Sequence, residues 1–381
     1  MKSILPFVAF SFVVGLISCE KEKAETITPV TPVNPCQPDH YCFSDDDGNL
    51  TVDYSGQTAR LLQMSELALY MKTANTSGTS LSAEVMRDMF SNADGNGSEH
   101  FSEQASVAGK QLEDKCFIGR VDLYHEFFEN LEQASLSVTA GSNGQPGVVT
   151  GLNDPSKKYL LDANGIEWAQ IIEKGLMGDV FYYQASAVYL AGTESGAYNT
   201  AAPYNAGANQ WYSEAEHKFD EAFGYLGAPA NFPENTGDAL FHGKYAVSRD
   251  AALDIINPIF NAFKDGRTAI SSNDESQKLQ ACEDIRYHWS RIVGGTSLYY
   301  LKQAAANMED PAIKCHALSE ARAFISQLIH NSEYGLSPSQ VDEVLELLGP
   351  NFYETTADDI SAAQLYLITN GNISLEEFAN L

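Results

Sequence analysis

Eight histidines bound the acid–base and metal chemistry open to this chain. Those that stand about one helical turn from an acid on predicted helices include His125 with Glu129, His217 with Asp220 and Glu221, His288 with Asp284, and His316 with Glu320. Side chains three or four apart meet on one helix face. None completes His-Glu-x-x-His, the spacing that sets two imidazoles on one zinc ion. His125-Glu126-Phe127-Phe128-Glu129 begins that pattern and lacks the second histidine. Most of these pairs read as local ion pairing. The His217 group gathers three suitable side chains, so His217 and Glu221 are carried forward as candidate ligand-binding residues.

A second constellation lies on a strongly apolar stretch. Glu167, Gln170, Lys174, Met177, Phe181 and Gln184 form one stripe at helical spacing. Polar groups in such a helix need partners or water. They either line a cleft between bundles, with Glu167 and Gln170 facing a ligand, or form a buried network through Glu167 and Lys174. A third candidate is the loop from Asn92 to Glu103. Asn92, Asp94 and Asn96 fall at positions one, three and five of a calcium loop, Gly97 at six and Glu103 at twelve. Alternating hard oxygens of this kind can wrap one Ca²⁺. Asn92 replaces the usual first carboxylate, and Glu99 stands where an apolar residue is expected. An Asn/Gly surface loop is the competing reading. Asp45 to Asn49 has alternating oxygens but no complete loop. There is no Gly-x-Ser-x-Gly, no phosphate loop and no dinucleotide fingerprint.

The elements that position these groups read as helices. Apolar residues recur at helical spacing over 57–71, 81–90, 117–131, 165–190, 211–223, 277–307, 311–330, 341–348 and 361–369. A further helix is expected over 101–112. One starting at Asp254 is expected to be interrupted at Asp265-Gly266. The Gly/Asn/Pro-rich run 141–155 reads as a loop, and strand patterns are sparse. The stretch 165–190 is apolar on several faces and belongs inside a bundle, where Gly175 and Gly178 permit close backbone approach. An all-α fold of two packed helical bundles follows, with subdomains over 51–205 and 206–381.

The chain begins with Lys2, an apolar run from Ile4 to Ile17, and Ser18-Cys19. This resembles a bacterial lipoprotein signal: 1–18 as the leader and Cys19 as the lipidated, palmitate-bearing residue. Residues 19–50 read as a tether and acidic linker. The expected location is the outer membrane, by lipid anchor. Side chains sum to −28, from 23 basic and 51 acidic residues. That charge opposes nucleic-acid binding, which needs a basic track. Cys36 and Cys42 are close enough in sequence to close a small loop outside the cytoplasm, and Cys116, Cys282 and Cys315 read as buried thiols.

Several separated stretches resemble the DUF4856 lipoproteins of Bacteroidetes. These are Val52 to Arg60, Gly109-Lys110-Gln111-Leu112, Gly165 to Gln170, Lys174 to Gly178, Phe219 to Tyr225, Gly266 to Ile270 and His316 to Ala321. The organisation is also similar to imelysin-like proteins, all-helical exported proteins associated with iron uptake. That resemblance implies a Gly-x-His-x-x-Glu site on the central helix. Here Glu167 stands at the histidine position and Gln170 at the glutamate position, which opposes metallopeptidase chemistry. The combined expectation is a non-catalytic, lipid-anchored envelope protein. It would bind a small ligand, an iron-linked compound or haem being the candidate, and pass it to another envelope uptake protein. Ca²⁺ is the candidate metal. A metal-dependent hydrolase and a pocketless interaction or adhesion domain are the alternatives.

Overall fold

Where apolar residues recur every three or four positions, the chain coils and buries them. Leu61, Met64, Leu67, Ala68 and Met71 all lie inside on α1, Ser55–Lys72. The structure, a computed structural model, describes residues 36, 37 and 39–381. The leader 1–18, Cys19 and the tether up to residue 35 lie outside the described residues. After α1 come α2 (Ala83–Ser91) and α3 (Val121–Ser135), then a hairpin of β1 (Gly147–Thr150) and β2 (Lys158–Leu161). The central segment begins as α4 (Trp168–Leu176). It widens into two π-helical stretches, Met177–Tyr182 and Gln184–Leu190, and closes as α5 (Ala191–Glu194). There follow α6 (Glu214–Leu226), α7 (Phe241–Leu253), α8 (Ile256–Ser272), the long α9 (Glu275–Ala306) and α10 (Pro311–Gln327). Then α11 (Pro338–Leu348), α12 (Ala357–Asn370) and α13 (Leu375–Asn380) complete the chain. The fold is all-α, with one small antiparallel hairpin among the described residues.

Local chemistry explains the boundaries. Ser213 and Glu216 form a capping box at the start of α6, and Gly227 ends it at φ +77°, where L side chains are strained. Asp310 caps α10 just ahead of Pro311, whose missing N–H costs nothing in a first turn. The α9 helix packs against α7, α8, α10 and α12, and α10 packs on α4. A single apolar cluster runs from Tyr41 to Ile373 and includes residues of every long helix.

Four expectations need correction. Residues 147–161 hold the β-hairpin where a loop was expected. The 101–112 stretch is irregular, because α1 side chains satisfy its backbone in place of helical bonds. Gln63 Nε2 donates to the carbonyls of Ala105 and Lys110, and Arg60 Nε donates to that of Gln111. Helix α8 runs straight through Asp265-Gly266. A Cβ at Gly266 would stand 2.4 Å from the Phe219 ring, so the glycine serves close packing and not a break. Within the expected linker, Tyr41 enters the core and Phe43 packs against it. Tyr41 is buried against Phe223, and its amide donates to the carbonyl of Ala230. Cys36 and Cys42 form a disulfide, while Cys116, Cys282 and Cys315 are buried thiols.

Candidate functional site

The stripe on α4 is drawn into a buried charge cluster at the seam with α10. Glu167 sits at the N-cap of α4, where its amide donates to Ser319 Oγ at 2.9 Å. Its Oε2 lies 2.6 Å from His316 Nδ1, and its Oε1 is buried without a partner. The other ring nitrogen of His316 is 3.4 Å from Glu320 Oε1. Tyr159 of β2 stacks on the imidazole, with centroids 4.1 Å apart. Tyr245 donates its hydroxyl to Glu320 at 3.4 Å. Next on the helix, Glu173 accepts from Lys174 at 2.8 Å and pairs with Lys72 at 2.9 Å.

His316 therefore stands between two carboxylates, hydrogen-bonded to Glu167 through Nδ1 and close to Glu320 through Nε2. Lys72 and Lys174 bring two cations to the same seam. Burial pushes the Glu320 carboxyl up, although Lys174 and His316 draw it down. At Glu173 burial also pushes upward, but Lys174 and Lys72 outweigh it and hold the carboxyl near about 2. Glu167 and Glu320 face opposite sides of one ring, so the three cannot converge on one ion. Among the described residues, no group of three or more His, Cys, Asp or Glu side chains is arranged to hold a metal.

The four predicted ligand-binding residues do not meet. Gln170 is buried, with its Oε1 unpartnered, on the α4 side. His217 and Glu221 lie on α6. His217 stacks on Tyr212, with centroids 4.6 Å apart, and stands 3.9 Å from Glu221. Glu221 accepts from Lys218 at 2.7 Å and from Gln57 of α1 at 3.0 Å. The Glu167–Gln170 pair and the His217–Glu221 pair share no partner, which corrects the expectation of one cleft. His125 pairs with Glu113 at 3.2 Å instead of Glu129, whose partner is Arg87.

In the expected calcium loop, residues Ala93–Glu99 form a 3₁₀ helix. Asn92 donates to the carbonyl of Lys110 at 2.7 Å, and Asn96 donates to Asp88 at 2.7 Å and to Ser91. Glu103 is exposed. The side chain of Asp94 lies outside what the structure describes.

Two buried clusters escaped the sequence. Asp179, in the first π-helical stretch, accepts from Tyr124 at 2.6 Å and lies 2.5 Å from His330 Nε2. Arg267 of α8 binds Asp220, Glu216 and the carbonyl of Thr51. An acid or an arginine inside an otherwise apolar helix was the available signal, since such a charge must be paired.

A cavity of ligand size lies elsewhere. The loop after α5, the first turns of α6 and α9 and the last turn of α8 surround a cavity of about 380 Å³. Its floor is buried: Thr193, Ala215, Ala269 and Ile270. Its rim carries Asn199, Thr200, Asn273, Asp274 and Lys278. Burial, with the charges of Glu221 and Glu214, pushes the Tyr198 hydroxyl above its ordinary value. Among the described residues no helix is long and apolar enough to cross a membrane.

A family model described as Domain of unknown function (DUF4856) matches residues 38–351. No curated protein and no solved structure matches the chain.

Proposed function

We infer function from the premise that the chain belongs to the DUF4856 family, a membership that brings no activity with it. On that premise the reading is a non-catalytic, small-ligand-binding protein of the cell envelope, tethered through lipid on Cys19 and located at the outer membrane. The cavity between α5, α6, α8 and α9 carries the reading. Its volume, about 380 Å³, falls within the range of small-molecule sites. Its lining combines small apolar side chains with hydroxyl and amide groups, which recognise ligands through shape and hydrogen bonds.

Haem does not fit this cavity. Haem iron is held by His, Cys, Met or Tyr. The lining offers no His, Cys or Met, and the hydroxyl of its Tyr198 donates to the carbonyl of Val188 at 3.1 Å. The Ca²⁺ expectation at Asn92, Asp94, Asn96 and Glu103 concerns a different loop.

Native mass spectrometry of the full-length protein, released from membranes, tests the reading. A small molecule carried by the wild type should be lost from Ala269→Trp, which fills the floor, and from Ala215→Leu. An equal load in all three proteins, or none in any, would overturn it. The anchor is tested separately. Cys19→Ala should shift the protein from the membrane to the soluble fraction and abolish incorporation of labelled palmitate. Unchanged partitioning would remove the tether from the proposal.

A further inference from the structure

The same cavity narrows its own ligand class, an inference that rests on the binding reading above. We propose that it takes an uncharged, polyhydroxylated ring, a mono- or disaccharide.

The floor and the rim differ in chemistry. Ala215, Ala269 and Ile270 are buried and apolar, and the Tyr198 ring stands beside them. Ala269 is fully covered, so the apolar contact to the C–H face of a sugar ring falls to the Tyr198 ring and the accessible edges of Ala215 and Ile270. The rim is polar and has spare hydrogen-bonding capacity. Asn199 Oδ1 accepts from the amide of Ala201 at 2.9 Å, which leaves its NH₂ group for a ligand. Among the described residues, the side chains of Thr200 and Asn273 have no hydrogen-bond partner. Amides and hydroxyls both donate and accept, as each hydroxyl of a sugar does.

The charged groups at the mouth are already matched. Lys278 pairs with Glu275 at 2.7 Å. Asp274 Oδ1 accepts the amide of Gln277 at 3.0 Å as the cap of α9. Glu214 Oε2 accepts the amide of Asn199 at 3.0 Å. The three carboxylates face one lysine, which disfavours an anionic sugar. A neutral hydroxyl can donate to the second oxygen of Asp274 without breaking any of these contacts.

Isothermal titration of the full-length protein provides the test. The probes are neutral hexoses, pentoses, N-acetylhexosamines and their disaccharides, the same sugars bearing phosphate, and free amino acids and dipeptides. A neutral sugar should bind, and Asn273→Ala and Thr200→Ala should each weaken it about tenfold. Both positions are exposed; Thr200→Ala should melt as the wild type does, while Asn273→Ala should melt slightly lower because Asn273 ends α8 at φ +56°, and both should remain folded at the titration temperature. The phosphorylated counterpart should bind more weakly than the neutral sugar. Binding of amino acids, dipeptides or phosphorylated sugars with neutral sugars silent would overturn the saccharide class and leave the binding reading standing. Silence from the whole panel, on protein whose Ala269→Trp variant also carries the same native load as wild type, would overturn both.

Discussion

Two of the charge clusters buried among the described residues, around Arg267 and around His316, differ in how many donors they are given. Around Arg267 the donors are in surplus. The guanidinium reaches Asp220 at 3.0 Å, Glu216 at 2.6 Å and the Thr51 carbonyl at 2.8 Å. Tyr41 adds a hydroxyl to Asp220, and Ser213 and Ser271 donate to Glu216. Around His316 the acceptors are in surplus: Glu167 Oε1 and Gln170 Oε1 are buried with no partner. The first cluster is a clasp that fixes the 41–53 segment to α6 and α8. The second joins α4 to α10 and leaves two buried oxygens without a donor. Each unsatisfied buried acceptor is a cost that the clasp avoids.

The clasp should be the harder of the two to break. Arg267→Met removes the only cation bonded to Glu216 and Asp220 among the described residues. The expected loss is about 3–5 kcal/mol, the cost of leaving buried charge uncompensated. Urea unfolding measures it, and limited proteolysis should then cut within residues 43–53. A loss below about 1 kcal/mol would mean that the hydroxyl and amide donors alone hold the carboxylates.

Acid should act on the other side of the molecule next. His242 is fully buried, bonded to Gln327 Oε1 at 2.9 Å, and Gln327 in turn donates to the Lys174 carbonyl. Burial lowers the imidazole from its ordinary 6.5 to about 4. A histidine shifted downward adds stability above its unfolded value and loses it as pH falls from about 6.5 toward 4. Roughly 3 kcal/mol is at stake in that window. Glu173 follows in a lower window: its contribution is present above the ordinary 4.5 and fades as pH falls toward about 2. Urea midpoints between pH 7.5 and 4 should slope steeply in the wild type and flatten in His242→Gln. Parallel slopes in the two proteins would remove His242 as the cause.

The sequence disclosed these regions unevenly. The central helix, α9, the cap at Ser213 and the Asp310-Pro311 start of α10 are local features, written in periodicity and capping chemistry. Glu167 and the His316–Glu320 pair were each visible, but the bond between Glu167 and His316 crosses 149 positions and has no local signature. Arg267 was hidden for the same reason, since its partner Thr51 is 216 positions away. The irregular 101–112 stretch was mistaken for a helix because its stabilising donors, Arg60 and Gln63, belong to α1. The cavity had no motif either. It is assembled from the ends of four helices, and its floor is made of alanines and one isoleucine that read as ordinary core.

The smallest expected effect contrasts one acid from each cluster, Glu320 and Glu216, because it predicts opposite signs. Within the clasp Asp220 is itself pushed up to about 7 by burial, against the pull of Arg267. Glu320 is raised by burial, so its contribution is full below the ordinary 4.5 and is lost as pH rises through its folded value. Glu320→Gln should therefore stabilise the protein at pH 8, by roughly 1 kcal/mol, and leave it nearly unchanged at pH 4.5. Glu216 is also pushed upward by burial, but Arg267, Ser271 and Ser213 outweigh that and hold its carboxyl below the ordinary range. Its contribution is present above 4.5 and lost as pH falls, so Glu216→Gln should destabilise at pH 8 and matter less in acid. Urea midpoints of both variants at the two pH values decide the matter. Losses of the same sign at pH 8 would show that the α4–α10 cluster is closed in the same way as the clasp, and the distinction between them would fall.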